Sequence, residues 1–146
     1  MNRKIKFRAW GRYDEWQEDG EKRQWKMIDG DSLAFEEFLP LCDLLEDVED
    51  EEYFMQFTGL HDKSGKEIYE GDIVRWDDGS NGKYWRMAEV FYDNDAAMFS
   101  FRLIRCINCG LQPGYIFGGS FRYRITNQLE IIGNIFENPE LIHPNP

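Results

Sequence analysis

"GLHDKSGKEIYEGDIV", residues 59–74, decides the fold, because its glycines and its Gly-Lys pair admit two readings. One is a loop that cradles a phosphate; the other is a turn between two strands. A phosphate loop follows G-x-x-x-x-G-K-[ST] and sits between a buried strand and a helix. Here Gly59 and Gly65 enclose five residues instead of four, and Glu67 stands where the metal-binding hydroxyl belongs. The residues after Lys66, "EIY", read as strand, so no helix N-terminus follows to receive an anion. Asp62 and Glu67 would also repel it. The stretch is therefore read as a hairpin. "KSG" at 63–65 supplies the tight turn, and Gly65 takes the positive φ such a turn demands.

Outward from this hairpin the pattern stays β. "YFMQFTGL" precedes it as a strand, and Gly71 separates two short extended pieces in "KEIYEGDIVRW". A second turn, "DDGSNGK", is rich in residues that tolerate left-handed geometry. Strand segments follow in "YWRMAEVFY", "MFSFRLIR", "GYIFGG", "FRYRI" and "LEIIGNIF". Period-two alternation puts Phe99, Phe101 and Leu103 on one face and Ser100 and Arg102 on the other. It likewise opposes Phe121, Tyr123 and Ile125 to Arg122 and Arg124. Short strands with frequent turns predict a small barrel or sandwich. In the closing "ENPELI", Asn138 is expected as N-cap with Pro139 at the first helical position.

The N-terminal third differs. Residues 3–10 alternate, with Ile5, Phe7 and Ala9 on a predicted buried side and Lys4, Lys6 and Arg8 opposite. "GRYDEWQEDGEKR" reads as a long polar hairpin loop, with "QWKMI" as the returning strand. Residues 31–48 space Phe35, Phe38, Leu41, Leu45 and Val48 roughly as a helix does, interrupted at Pro40. The expected organisation is 1–53, a hairpin plus an acidic and partly helical segment, followed by 54–146, the β region, together one compact unit. The fold class is mainly β, with α+β character at the N-terminus.

Charge is distributed unevenly. The 146 residues carry a net charge of −11. Residues 27–62 hold twelve acids and no Lys or Arg, so the remainder has 28 − 12 = 16 acids against 17 bases. Such a segment reads as a solvated face and linker; the sharper alternative is a docking surface or a mimic of a nucleic-acid backbone. The negative field disfavours nonspecific nucleic-acid binding by the whole chain. Eleven Phe, seven Tyr and five Trp are enough to close a core, which argues against disorder. No window is apolar for the length of a membrane span, and the N-terminus lacks the apolar stretch of a signal peptide. Three cysteines, an odd count, make a secreted disulfide framework a poor fit and point to a reducing cytoplasm.

Few residues propose chemistry. Cys106 and Cys109, in "CINC", have the spacing of half a zinc ribbon and are the weak candidates for metal. A full site needs four ligands, and Cys42, His61 and His143 stand singly and far apart. The favoured reading is two ordinary cysteines at a loop, and the alternative is a half-site completed by another subunit. No nucleophile elbow, HExxH or dinucleotide fingerprint occurs. No catalytic residue and no cofactor are expected, and the chain is read as noncatalytic. Arg86, Arg102, Arg105, Arg122 and Arg124 collect on the β region as a possible interaction surface. With Tyr84, Trp85 and Tyr123 they form either a nucleic-acid platform or, as favoured, a basic counterpart to the acidic segment, within the chain or across a subunit contact.

Three blocks in this order, "RKIKFRAW" at 3–10, "MQFTGLHDKSGKEIYEGDIV" at 55–74 and "IIGNIFENPELI" at 131–142, resemble the YopX family of phage and prophage proteins. The resemblance implies a mainly β protein with a mixed N-terminal region and a small SH3-like pseudo-barrel, whose first strand opens at "EGDIV". It also implies phage or prophage origin and residence in a bacterial cytoplasm. It carries over no catalytic residue. The polar loop at 11–23, the acidic segment and the CxxC depart from the family's pattern. The expected role is a phage accessory protein that self-associates and binds a host or phage protein; the alternative is a nucleic-acid-binding module.

Overall fold

The computed structural model describes residues 5–12, 25–29, 54–77, 84–117 and 128–143. The chain divides into two compact units, Met1–Gln56 and Phe57–Pro146. Among the described residues every regular element except one short 3-10 turn is a strand, paired antiparallel. The helical spacing at 31–48 lies outside the described residues, as do the polar loop, Cys42, the acidic run at 43–52, and Arg122, Tyr123 and Arg124.

In the first unit β1 (Phe7–Arg12) pairs with β2 (Trp25–Asp29), in register from Arg8 opposite Asp29 to Arg12 opposite Trp25. Its other edge meets the start of β3 (Phe54–His61), with Phe7 opposite Gln56 and Ala9 opposite Phe54. The hairpin is as expected; burial is not confined to the predicted side. Ala9 is fully buried, but Phe7 is 45% exposed and Ile5, which precedes the strand, 64%. Arg8 on the opposite face is buried instead. Alternation fixes which residues share a face, not which face is covered.

The second unit holds the 59–74 stretch as a hairpin. After Gly59 (φ +87), β3 reaches a turn at 62–66 and returns as β4 (Glu67–Tyr69). Phe57 faces Tyr69 and His61 faces Glu67, so β3 carries two extra residues against its partner. Thr58 manages that irregularity: its Oγ1 donates to the Ile68 carbonyl at 2.8 Å and accepts from Leu60 N at 3.1 Å. A second tight turn, with Gly71 at φ +81, leads into β5 (Asp72–Asp77). Asp72 is buried and accepts from Tyr69 N at 2.8 Å, closing that turn from within. Lys66 is exposed on a hairpin turn, with a strand after it. The phosphate-loop reading fails in space as it does in sequence.

From β5 a five-stranded sheet extends in the order β8-β7-β6-β5-β9, with β6 Trp85–Asp93, β7 Met98–Cys106, β8 Ile116–Phe117 and β9 Glu130–Asn134. Its inner face is the core: Val74, Ala88 and Leu103 form one cross-strand row, Val90, Phe101 and Phe117 the next. Trp76 anchors the cluster, with Phe117 edge-on at 5.3 Å and Phe101 tilted at 6.3 Å. Phe99, Phe101 and Leu103 are buried together, as alternation requires. Among the described residues the sheet keeps two separate edges, β8 and β9, and does not close into a barrel. No described helix is long and apolar enough to cross a membrane.

The C-terminal turn departs from expectation in one detail. Pro139–Leu141 is a 3-10 helix with Pro139 at its start, but Asn138 makes no side-chain cap bond. Asn138 Oδ1 reaches back to accept from Asn134 N at 3.2 Å. Asn134 Oδ1 in turn accepts from Phe136 N and Glu137 N. A Cβ at Gly133 would run into the Asn138 side chain, so the glycine makes room for this clasp.

Candidate functional site

Three of the predicted arginines, Arg86, Arg102 and Arg105, lie on β6 and β7 of the five-stranded sheet. Residues paired across antiparallel strands share a face. Ile73, Glu89, Arg102 and Ile116 form one row across β5, β6, β7 and β8 on the face away from the Trp76 cluster, fully buried at Ile73 and open toward Arg102 and Ile116. Glu130, Arg75, Met87 and Arg105 form the next, across β9, β5, β6 and β7.

Arg102 and Arg105 are three residues apart, which strict alternation would send to opposite faces. A bulge reunites them. Ala88 pairs with Leu103 and Met87 with Arg105, so Ile104 is the extra residue that resets the parity. Each guanidinium then covers an aromatic ring of the same β6 face. Arg102 lies 4.1 Å from the Phe91 centroid and Arg105 5.3 Å from that of Trp85, contacts worth roughly 0.5–1 kcal/mol each at exposed sites.

Arg86 does not join them. It pairs with Trp76 and Cys106, on the core side of the sheet. Of the five arginines, then, Arg102 and Arg105 share a face and Arg86 takes the other. Arg122 and Arg124 are outside the described residues. Sequence reasoning passed over Arg75, which the register brings into the same row as Arg105; its signal was its even spacing from Ile73 along β5.

The face is not uniformly positive. Glu130 is held between Lys63 and Arg75, each at 3.3 Å. Its carboxyl is lowered, chiefly by the Lys63 hydrogen bond, which together with the Lys63 charge and Arg75 outweighs the opposing effect of burial. Glu89 stands 3.6 Å from Arg102; burial raises its carboxyl, and Arg102 only partly offsets this. Tyr115 and Ile116 at the β8 edge are 48% and 44% exposed. The face is thus mixed: charged and aromatic groups reach solvent beside Ile73, Met87 and Ser100, which are buried on the same side.

Cys106 and Cys109 are joined in a disulfide with a Cα separation of 6.0 Å. This replaces the reading of two ordinary cysteines. Both are partly buried and pack against the core cluster together with Leu111. Among the described residues no three His, Cys, Asp or Glu side chains are grouped to hold a metal ion. His61 is exposed with its ring edge-on to Phe57 at 5.6 Å, and His143 is exposed beyond the 3-10 turn.

The turn itself holds a carboxylate with four hydrogen bonds. Asp62 Oδ1 accepts from Ser64 N at 2.8 Å, Ser64 Oγ at 2.7 Å and Lys66 N at 3.0 Å. Its Oδ2 accepts from Ile131 N on β9 at 3.2 Å. Burial alone would raise its pKa, but these donors outweigh it and lower the value to about 2. Charge and acceptors are spent on holding the hairpin to β9, which makes Asp62 architectural. The family blocks that contain Asp62, Gly71, Gly133 and Asn138 thus have a structural rationale.

A family model described as YopX protein matches residues 6–143, nearly the whole chain. The chain belongs to the YopX family. Comparison with curated proteins finds no match. Among solved structures, the crystal structure of protein EF1440 from Enterococcus faecalis is similar. It is 24% identical with a TM-score of 0.48, and the match covers 95% of this YopX chain and 98% of that one.

Proposed function

We propose that this YopX protein is a noncatalytic accessory protein of phage or prophage, resident in the bacterial cytoplasm, that works by protein–protein contact and self-association. Its β region is read as an SH3-like pseudo-barrel whose outer β6–β7–β8 face is the contact surface. The observation that carries this reading is the pairing of Arg102 with Phe91 and of Arg105 with Trp85 beside exposed Ile116. Arginine and aromatic anchors flanked by apolar groups are the composition of protein interfaces. The complementary charge is within the same chain's sequence: the acidic segment 27–62, above all its run at 43–52, which has seven acids and no base. A second copy therefore supplies a partner of suitable charge.

The test is sedimentation of the intact protein across concentration and salt. Association that weakens as salt rises, and that falls at least tenfold in an R102E/R105E variant, is the expected result. A monomer at every concentration, or an oligomer indifferent to salt and to the variant, overturns it.

The same cation–aromatic combination underlies the second reading, a nucleic-acid-binding module. Glu89 and Glu130 among the arginines weigh against it, because each already lies beside an arginine and would repel a phosphate brought to it. Single-stranded DNA retained in a gel shift at physiological salt, and lost in R102E/R105E, would favour this reading over the first.

A further inference from the structure

The Cys106–Cys109 disulfide has no part in the proposed contact surface, and its setting differs from that of a structural cross-link. It spans two residues, Ile107 and Asn108, at the end of β7. A bridge that closes so short a loop restrains little of the unfolded chain, so its effect is local. It lies at an accessible place: Ile107 is 41% exposed, Asn108 and Gly110 are exposed, and both cysteines are only partly buried.

The loop it closes turns through left-handed backbone. Asn108 holds φ 57, a region that asparagine tolerates better than most residues, and Gly110 follows at φ 71. Ile107 N donates to the Trp85 carbonyl at 3.0 Å. Cys106 Sγ lies 3.7 Å from the Leu111 carbonyl oxygen, and Leu111 packs on the core cluster. One cation shares the face of Cys106 by register: Arg86 is its Cα partner across the strands. Positive charge near a cysteine favours the thiolate through which exchange proceeds.

We propose that Cys106 and Cys109 are a reversible dithiol–disulfide couple, exchanging with low-molecular-weight thiols of the glutathione class, and that its state sets whether the 107–111 loop is clamped on the core. In the reducing direction a glutathione thiolate attacks one sulfur of the pair. The protein S–S bond breaks, a mixed disulfide forms, and the released cysteine leaves as thiolate and takes a proton. A second glutathione attacks the mixed disulfide, freeing the other cysteine and leaving oxidised glutathione. Two electrons and two protons end on the protein. The oxidising direction is the reverse, with oxidised glutathione as the electron acceptor.

The experiment equilibrates full-length C42S protein, in which only the pair remains, in glutathione buffers from fully reduced to fully oxidised. Alkylation and intact mass count the thiols, and hydrogen exchange follows the peptide covering 104–115. Two thiols that appear and disappear reversibly, with exchange in that peptide at least tenfold faster in the reduced form and unchanged elsewhere, is the expected result. A pair that stays oxidised in excess reduced glutathione, stays reduced in excess oxidised glutathione, or interconverts without altering the loop's exchange overturns the proposal. A C42S/C106S/C109S variant should exchange like the reduced form in every buffer. If that variant does not fold, the C42S protein alone decides.

Discussion

Asp62 and Gly133 show what single residues contribute to this architecture. The Asp62 carboxylate is ionised in the fold down to about pH 2, against an ordinary value of 3.8. A depressed carboxyl stabilises the fold above the unfolded value, and that contribution disappears as pH falls from about 4 toward 2. Because the turn is at the surface, solvent screening reduces the effect to about 1–2 kcal/mol. D62N keeps an acceptor for Ser64 and Lys66 but is expected to set an amide donor against Ile131 N. It should cost about 1–3 kcal/mol at pH 7. Urea unfolding at pH 7 and pH 2.5 checks both statements, since the gap between wild type and D62N should narrow in acid. At Gly133 a methyl group meets the Asn138 side chain, so G133A should destabilise by about 1–3 kcal/mol. In a double-mutant cycle with N138A the two losses should be less than additive, because removing Asn138 also removes the collision. The sequence showed that position 138 precedes a Pro-initiated turn. It did not show where the amide goes, because a cap and a backward clasp use the same residue at the same place.

At the scale of elements, what local chemistry dictates was legible and what an insertion alters was not. The β3–β4 hairpin follows from Asp62, Ser64 and Gly65 within one turn, and the buried row Phe99, Phe101, Leu103 follows from period two. Ile104 carries no signal as the extra residue of β7. The sequence grouped Arg102 with Arg105, which only this bulge puts on one face, and it grouped Arg86 with them although the register turns it to the Trp76 side. The disulfide was equally hidden, because an odd number of cysteines argues against pairing. The buried side of β1 needed knowledge of what covers it. The outer face gives a test at this level. R102A should cost only about 0.5–1 kcal/mol, since the arginine is half exposed. Part of that loss is Glu89 left without its counter-charge. Burial raises the Glu89 carboxyl, so its charged form is favoured less in the fold than in the unfolded chain. Its contribution therefore grows as pH falls toward its folded value, the opposite sign to Asp62. The R102A defect should accordingly shrink between pH 7 and pH 4.5 in thermal melts. A defect independent of pH would mean that Arg102 acts through its stacking on Phe91 instead.

For the whole molecule, charge supplies two salt effects of opposite sign, and their separation tests the proposed mode of action. A net charge of −11, concentrated in residues 27–62, repels itself within each chain. Raising ionic strength from about 0.01 M to 0.15 M shortens the screening length from roughly 30 Å to 8 Å. Repulsion between acids spread along thirty-six residues is then largely removed, and the dilute protein should melt a few degrees higher. Attraction between that segment and the Arg102–Arg105 face of a second copy is screened over the same range, so association should weaken. Melting temperature and sedimentation should therefore move in opposite directions with salt. An R102E/R105E variant should keep the first response and lose the second, because its acidic segment is intact while its complementary face is not. If wild type and variant shift together in both measurements, the salt dependence belongs to folding alone, and the acidic segment acts as a solvated spacer rather than as one half of a contact.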